Sequence, residues 1–310
     1  VYRACNTASS ANGWPAEVAI CIPHAQDDEA RTLLQRECRI AQSLEHPAVV
    51  RVYGIQQAGE TLFAVTELVE GETLAARLKR EGPMTLAAAI EIIRPIAQAV
   101  DYIHGSLHFH RDIKPGNIML TAHPGDGRPQ AKLLDFGLAR LMAHSQYLAT
   151  TRVGSMGYMA PEQFGGAAGM RADIWSLGVT FYQMLTNTLP FGARDEASLM
   201  HHILYDTPDL GTLEEGEFDI RLCGVMRRVL EKDPDKRYAT AGEFVEDLQA
   251  VLVHAGAVNP LEGEIEMRLR AHFPLLFIES YEEERVLHSL ERIREVMSAR
   301  EPCQMFVWSE

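Results

Sequence analysis

The first seventy residues carry apolar runs that favour strands. "EVAICIP" (Glu17–Pro23) and "LFAVTELV" (Leu62–Val69) are rich in β-branched and apolar side chains. Between them, "DDEARTLLQRECRIAQSL" sets Leu33, Leu34, Ile40 and Leu44 roughly along one helical face. Asp27 and Asp28 supply the acidic start that a helix N-terminus favours. From about Thr73 to Ala255 the period becomes helical. "TLAAAIEIIRPIAQAVDYIHGSL" predicts one long amphipathic helix, with Pro95 as a kink or local break. "DIWSLGVTFYQMLT" is apolar nearly all round, which predicts a buried helix. "EFVEDLQAVLVHA" predicts another amphipathic helix, and the Pro and Gly of "TAHPGDGRPQAK" predict a hairpin.

The pattern breaks at "HAGAVNPLEGE" (His254–Glu264), where small residues, Gly and Pro mark a boundary. Beyond it come a helix ("EIEMRLRAHF"), an apolar run ("PLLFIES"), a helix with Val286, Leu287, Leu290, Ile293 and Val296 on its apolar face, and a second apolar run ("QMFVWS"). This strand–helix–strand order is the start of an α/β unit. Such a unit alone cannot cover both faces of its sheet, so it is expected to continue in a longer protein. A first residue of Val1 rather than Met points the same way. The expected division is residues 1–254 as one domain (a β-rich lobe 1–70, a helical lobe 71–254), a linker 255–264, and a truncated α/β domain 265–310.

Composition narrows the functions available. The 310 residues are 46% apolar and 23% charged, with a net charge of −14. An acidic surface of this kind excludes a general affinity for nucleic acid or anionic lipid. No run of about 18 apolar residues occurs, so no membrane span is expected, and no signal peptide is visible. The five cysteines (Cys5, Cys21, Cys38, Cys223, Cys303) are scattered and form no CxxC pair. That usage fits reduced thiols in the cytoplasm rather than disulfides or a zinc site.

The chemistry concentrates in "HRDIKPGNIML" (His110–Leu120). It is followed by "DFG" (Asp135, Phe136, Gly137), "GSMGYMAPEQF" and "ADIWSLG". These four blocks, in order, resemble the eukaryotic-like serine/threonine protein kinases, especially the bacterial branch. The resemblance covers Val1 to about His254. It implies an α+β, bilobal kinase fold whose small β-rich N-lobe lacks its first strand here, with ATP and Mg²⁺ (or Mn²⁺) as cofactors and a protein as substrate. The residue types suit phosphoryl transfer, which needs positioning and charge neutralisation more than covalent chemistry. By resemblance, Asp112 orients or deprotonates the substrate hydroxyl, and Lys114 neutralises the γ-phosphate. Asn117 and Asp135 hold the metal, for which amide and carboxylate oxygens are apt ligands. "VTELVEG" (Val65–Gly71) resembles the hinge: backbone groups of Glu67 and Val69 would meet the adenine edge, Thr66 falls at the gatekeeper position, and Val1, Ala19 and Met119 would sandwich the ring. Glu162 and Arg237 are implied to form a buried ion pair, and Asp173 to anchor the catalytic loop. The activation loop would run from Leu138 to Met159. Arg111 would pair with a phosphate on Thr150 or Thr151, and Ser155 would line the substrate pocket. His110 reads as a packing and hydrogen-bonding residue, and the other histidines, including His104, His201 and His202, as surface or filler.

One position departs from the pattern. Alternation aims Ala19 and Cys21 at the same face, and the family carries a lysine where Cys21 stands. The glutamate that such a lysine pairs with is present as Glu37. Three readings stay open. The cation comes from a strand preceding Val1, as in the with-no-lysine kinases, which have a cysteine here in a similar context. Alternatively, the chain is a pseudokinase that binds nucleotide or a partner, since losing this charge removes stabilisation from a dry site. Or Arg3 substitutes. Cys21 itself reads more readily as a small buried hydrophobe than as a reactive thiol. The segment after residue 264 resembles the opening of AAA-type ATPases, implying an attached ATPase region, although the chain has no GxxxxGK[ST] motif.

Overall fold

The computed structural model describes residues 1–6, 13–22, 28–122, 129–134, 155–166, 169–214 and 218–257. The apolar alternation near the N-terminus becomes an antiparallel sheet of β1 (Tyr2–Cys5), β2 (Glu17–Cys21), β3 (Val52–Ala58) and β4 (Thr61–Glu67), in the order β1-β2-β4-β3. Its register sets Ala19 opposite Thr66 and Cys21 opposite Ala64. Helix α1 (Asp28–Ala41) follows β2. Its buried face is Leu34, Glu37, Cys38 and Ala41, with Leu44 just beyond. This corrects the sequence expectation: Leu33 and Ile40 are only half-buried. The inward stripe is rotated because it must carry Glu37 and Cys38 as well as leucine.

A second antiparallel sheet, β5 (Glu72–Thr73), β6 (Ile118–Ala122) and β7 (Pro129–Leu133), lies on the helical side. β6 and β7 form the expected hairpin. Helix α2 (Leu74–Glu81) starts at Thr73, whose hydroxyl accepts the Ala76 N–H at 3.1 Å. Helix α3 (Leu86–Gly105) starts at Thr85, which accepts the Ala88 N–H at 3.3 Å. Each cap satisfies a backbone donor that the first helical turn leaves unpaired. Helix α3 runs through Pro95 as one helical segment, so of the kink or local break expected there the break does not occur. Proline removes one backbone bond, but Ile92, Ile93, Ile96 and Ala97 around it are buried, and packing offsets the loss.

The helical lobe continues with α4 (Pro161–Phe164), α5 (Met170–Thr186), α6 (Glu196–Tyr205), α7 (Gly211–Glu214), α8 (Ile220–Val229) and α9 (Ala241–Ala257). Helix α5 is buried on almost every side, as its apolar sequence predicts. Gly178 lets α8 approach it: a Cβ there would lie 2.6 Å from Val229 Cγ1. Trp175 stacks on Phe191 at 5.6 Å between ring centroids. Two compact units divide the chain, Val1–Leu248 and Gln249–Glu310. The described part of the second is the end of α9. The expected linker 255–264 and the α/β segment 265–310 fall almost wholly outside the described residues.

Candidate active site

The loop from His110 to Asn117 is fixed from below by α5. Asp173, fully buried, accepts the His110 backbone N–H at 2.8 Å and the Arg111 N–H at 2.6 Å. Its third partner is the ring Nε2 of His104, at 2.9 Å. His104 is therefore no surface or filler residue. It is buried within the apolar face of α3, four residues after Val100, and that position in the helical period is the signal that could have found it. The Asp173 bonds hold Arg111 at φ 67°, a left-handed conformation that a non-glycine residue adopts only when its surroundings impose it. The ring Nε2–H of His110 donates to the Leu134 carbonyl at 2.9 Å, and its Nδ1 accepts the Asp112 N–H at 3.4 Å, so this histidine serves as a strut.

Above this base three candidate residues converge. Lys114 Nζ donates to both Asp112 carboxylate oxygens at 2.9 and 2.8 Å, and to Ser155 Oγ at 2.9 Å. Asn117 Nδ2 donates to the Asp112 carbonyl at 2.8 Å and to Asp112 Oδ2 at 2.7 Å. The two amide bonds fix the Asn117 side chain and leave its Oδ1, a hard oxygen, with no partner among the described residues. This suits a Mg²⁺ ligand. Asp135, Phe136, Gly137, Thr150 and Thr151 lie outside the described residues. Arg111 sets its guanidinium 5.5 Å from the Phe109 ring centroid, and its buried Nε finds no partner among the described residues.

A cleft opens beside this group. Val1, Ala19, Cys21 and Thr66 line it from the first sheet, and Met119 and Leu134 from the second. Glu67 and Val69 stand at the strand end between them. All the ring-contacting residues expected from sequence thus share one cleft. Gly71 brings the connecting segment hard against the second sheet: a Cβ there would sit 2.0 Å from the Leu120 carbonyl oxygen. Thr66 is buried. No backbone bond to the N–H or carbonyl of Val69 occurs among the described residues, whereas the Glu67 N–H donates to the Arg51 carbonyl at 2.8 Å.

Cys21 is half-buried and faces the cleft, so the reading of it as a buried hydrophobe is corrected. It is the last residue of β2 and pairs with Ala64 of β4. Glu37 is buried on α1. The neighbouring Cys38 thiol is pushed up to about 12 by burial first, and then by the charges of Cys21 and Glu37. Arg3 is exposed and pairs with Glu17 at 2.7 Å and Glu70 at 3.2 Å at the surface. Lys132 on β7 pairs with the carboxylate of Glu67, a contact that sequence reading missed. Lys132 reads as an outward polar residue of a strand, and nothing local announces its distant partner.

Farther below, Arg237 uses all five guanidinium N–H groups. Two go to Glu162 at 2.7 and 2.8 Å, and the others to the carbonyls of Glu231, Arg171 and Lys232. The implied Glu162–Arg237 pair is present, with the Arg237 side chain fully buried. Beside it, Lys232 lies 4.0 Å from the Phe191 ring centroid, and burial lowers its pKa to about 8.

A two-lobed fold with an aspartate, lysine and asparagine converging at the edge of an interlobe cleft defines the protein kinases. Residues 15–248 match the protein kinase domain, and the chain belongs to that family. It is 35% identical over 240 residues to serine/threonine-protein kinase PknB of Mycobacterium tuberculosis (strain ATCC 25618 / H37Rv), an overlap covering 75% of this chain and 37% of that protein. With serine/threonine-protein kinase PrkC of Bacillus subtilis (strain 168) it shares 32% identity over 239 residues, 75% of this chain and 36% of that protein. The chain thus spans under two-fifths of these relatives' length. Among solved structures it resembles Rad53 1-466 in complex with AMP-PNP, with a TM-score of 0.61 and 29% identity, covering 74% of this chain and 57% of that one. A structure of the Rad53 kinase domain and SCD2 in complex with AMPPNP gives a TM-score of 0.57 at 27% identity, covering 74% and 80%. No helix among the described residues is long and apolar enough to cross a membrane.

Proposed function

We propose that the chain is an ATP-dependent serine/threonine protein kinase domain that transfers the γ-phosphoryl group of ATP to a Ser or Thr hydroxyl of a protein, its own chain among the substrates. The observation that carries this reading is the convergence of Asp112, Lys114, Asn117 and Ser155 beside the cleft. In this reading Asp112 receives the substrate hydroxyl, orients its lone pair at phosphorus and takes its proton. Lys114 is held within reach of both Asp112 and the incoming phosphate, and neutralises charge as it develops. Ser155 places the substrate-binding segment against Lys114. Asn117 Oδ1 and Asp135 would hold Mg²⁺, which supplies charge neutralisation on the phosphates when bound. Backbone groups at Glu67 and Val69 take the adenine edge, with Val1, Ala19 and Met119 against its faces. Arg111 receives a phosphate on Thr150 or Thr151.

We further read residues 1–254 as the kinase domain and 265–310 as the opening of an AAA-type ATPase region joined by a short linker. The scattered reduced cysteines support a cytoplasmic setting. A second reading is favoured by Cys21: no cation among the described residues stands in for the lysine, so a nucleotide-sensing pseudokinase that regulates the attached region is the competing conclusion. Transfer of label from γ-labelled ATP decides between them, with Asp112→Asn as control. We expect Asp112→Asn to lower the rate at least about a hundredfold, the scale of a lost general base. Wild type and Asp112→Asn equally silent with both Mg²⁺ and Mn²⁺, while both bind ATP, would establish the pseudokinase.

A further inference from the structure

Glu67 is the last residue of β4, in the first sheet, and Lys132 sits on β7 in the second. Their side chains form an ion pair between the two sheets, beside the cleft that Glu67 helps to line, with exposures of 28% for Glu67 and 20% for Lys132. Glu67 is tied further on its own side: its second carboxylate oxygen accepts the Arg51 N–H at 3.3 Å. Lys132 is tied on the other side, because β6–β7 register places it directly opposite Met119, a floor residue of the cleft. A roof strand end and a floor strand are thus joined by one side-chain pair. The chain between Glu67 and Glu72 crosses from one sheet to the other, and Gly71 is pressed on Leu120 at the lower end of that crossing. The Arg51 side chain is engaged with Glu45 at 2.8 Å.

We propose that Glu67 and Lys132 form a hinge clamp. Their ion pair sets the width of the cleft at the adenine end, and so the affinity for nucleotide, while neither charged group touches it. Both act as positioning residues. The proposal rests on the kinase reading for the identity of the ligand. A half-buried pair is screened less than a surface one and costs less to desolvate than a fully buried one, which is the regime in which such a pair stabilises one geometry.

The test uses the full 310-residue chain with Glu67→Gln, Lys132→Met and the exchange variant Glu67→Lys/Lys132→Glu. ATP affinity is measured by calorimetry and transfer by steady-state kinetics. Each single variant is expected to weaken ATP binding about five- to tenfold, the scale of a pair worth roughly 1 kcal/mol. KM for ATP should rise in parallel and kcat should stay within about twofold, as for lost uniform binding. The exchange variant should regain most of the loss, which a purely packing role would not predict. Unchanged affinity in both single variants overturns the clamp and leaves the kinase reading intact, as does an exchange variant no better than the singles. A wild-type chain that binds no ATP overturns the kinase reading instead. The clamp is then judged by amide hydrogen exchange over residues 68–73, which Glu67→Gln must accelerate; equal exchange overturns it.

Discussion

The loop from His110 to Asn117 lies beside the cleft that the strands above it line, yet the two are held by different interactions. Beneath the loop, Asp173 gathers three hydrogen bonds in a site closed to water, and Arg237 spends five donors on Glu162 and three carbonyls. On the roof, Cys21 sits half-exposed at a strand end, and the ion pairs of its sheet, Arg3 with Glu17 and Glu67 with Lys132, are open to water in part or wholly. Buried polar networks fix a geometry because any other arrangement leaves groups unpaired. A roof whose polar contacts are partly open to water is restricted less, because water can take the place of a lost partner. The floor is built to be rigid and the roof to be adjustable, and substitutions on the two sides should differ in kind as well as size.

The largest effect belongs to the floor. Arg237→Ala leaves the Glu162 carboxylate and three carbonyls without their donor, and should cost about 3–5 kcal/mol of stability. Urea unfolding checks this, and a loss below about 1 kcal/mol would mean that the network is incidental. Asp173→Ala is expected next, at about 2–4 kcal/mol, because two backbone N–H groups and the His104 ring lose their acceptor inside the protein. It should also release Arg111 from its left-handed conformation and abolish transfer while ATP binding survives, since the roof is untouched. Loss of ATP binding in step with transfer would erase the distinction between the two sides.

This contrast also explains what could be read from the sequence. The floor was legible because its residues lie in ordered local blocks: Asp112, Lys114 and Asn117 within six positions, and Asp173 inside an apolar helix that must bury it. Strand alternation placed Ala19 and Cys21 on one face, whereas Val1, Thr66 and Met119 were placed in the cleft by the resemblance to the kinases. What escaped depended on packing between distant segments. The inward face of α1 was rotated from the leucine pattern because Glu37 and Cys38 occupy it. Pro95 was tolerated because its neighbours are buried. Lys132 meets Glu67 only once two sheets are placed side by side. His104 was misread because a histidine in an apolar stripe does not reveal its partner.

A smaller effect tests how far the floor's rigidity extends. Asp101 on α3 reaches across to the start of α9, where its two carboxylate oxygens accept the Ala241 and Gly242 N–H groups, each at 2.8 Å. This is an N-terminal cap supplied from another helix. Asp101→Ala should cost about 1 kcal/mol, the usual value of a lost cap, and Asp101→Asn less. Thermal unfolding gives the measurement, and a neutral Asp101→Ala would show that water replaces the cap freely.

The smallest effect on stability is expected on the roof. Cys21→Ser should change stability by no more than about 0.5 kcal/mol, because a half-exposed thiol at a strand end gives up little burial. Its reactivity is the sharper probe. Cys38 is 1% exposed, and with its pKa pushed up to about 12 it stays a protonated thiol across the ordinary pH range. The thiolate is the nucleophile, so among the four cysteines of the described residues, alkylation of the native chain near pH 8 should spare Cys38 and Cys223, both buried, and reach Cys5 and Cys21 first. Raising the pH toward 12 should bring Cys38 into reaction only as the chain opens. Saturating ATP should slow alkylation at Cys21 and leave Cys5 as it was, since Cys21 lines the cleft and Cys5 does not. Peptide mapping after timed labelling separates these sites. Equal protection of Cys5 and Cys21 would point to general tightening of the sheet, and no protection of Cys21 would place the nucleotide elsewhere.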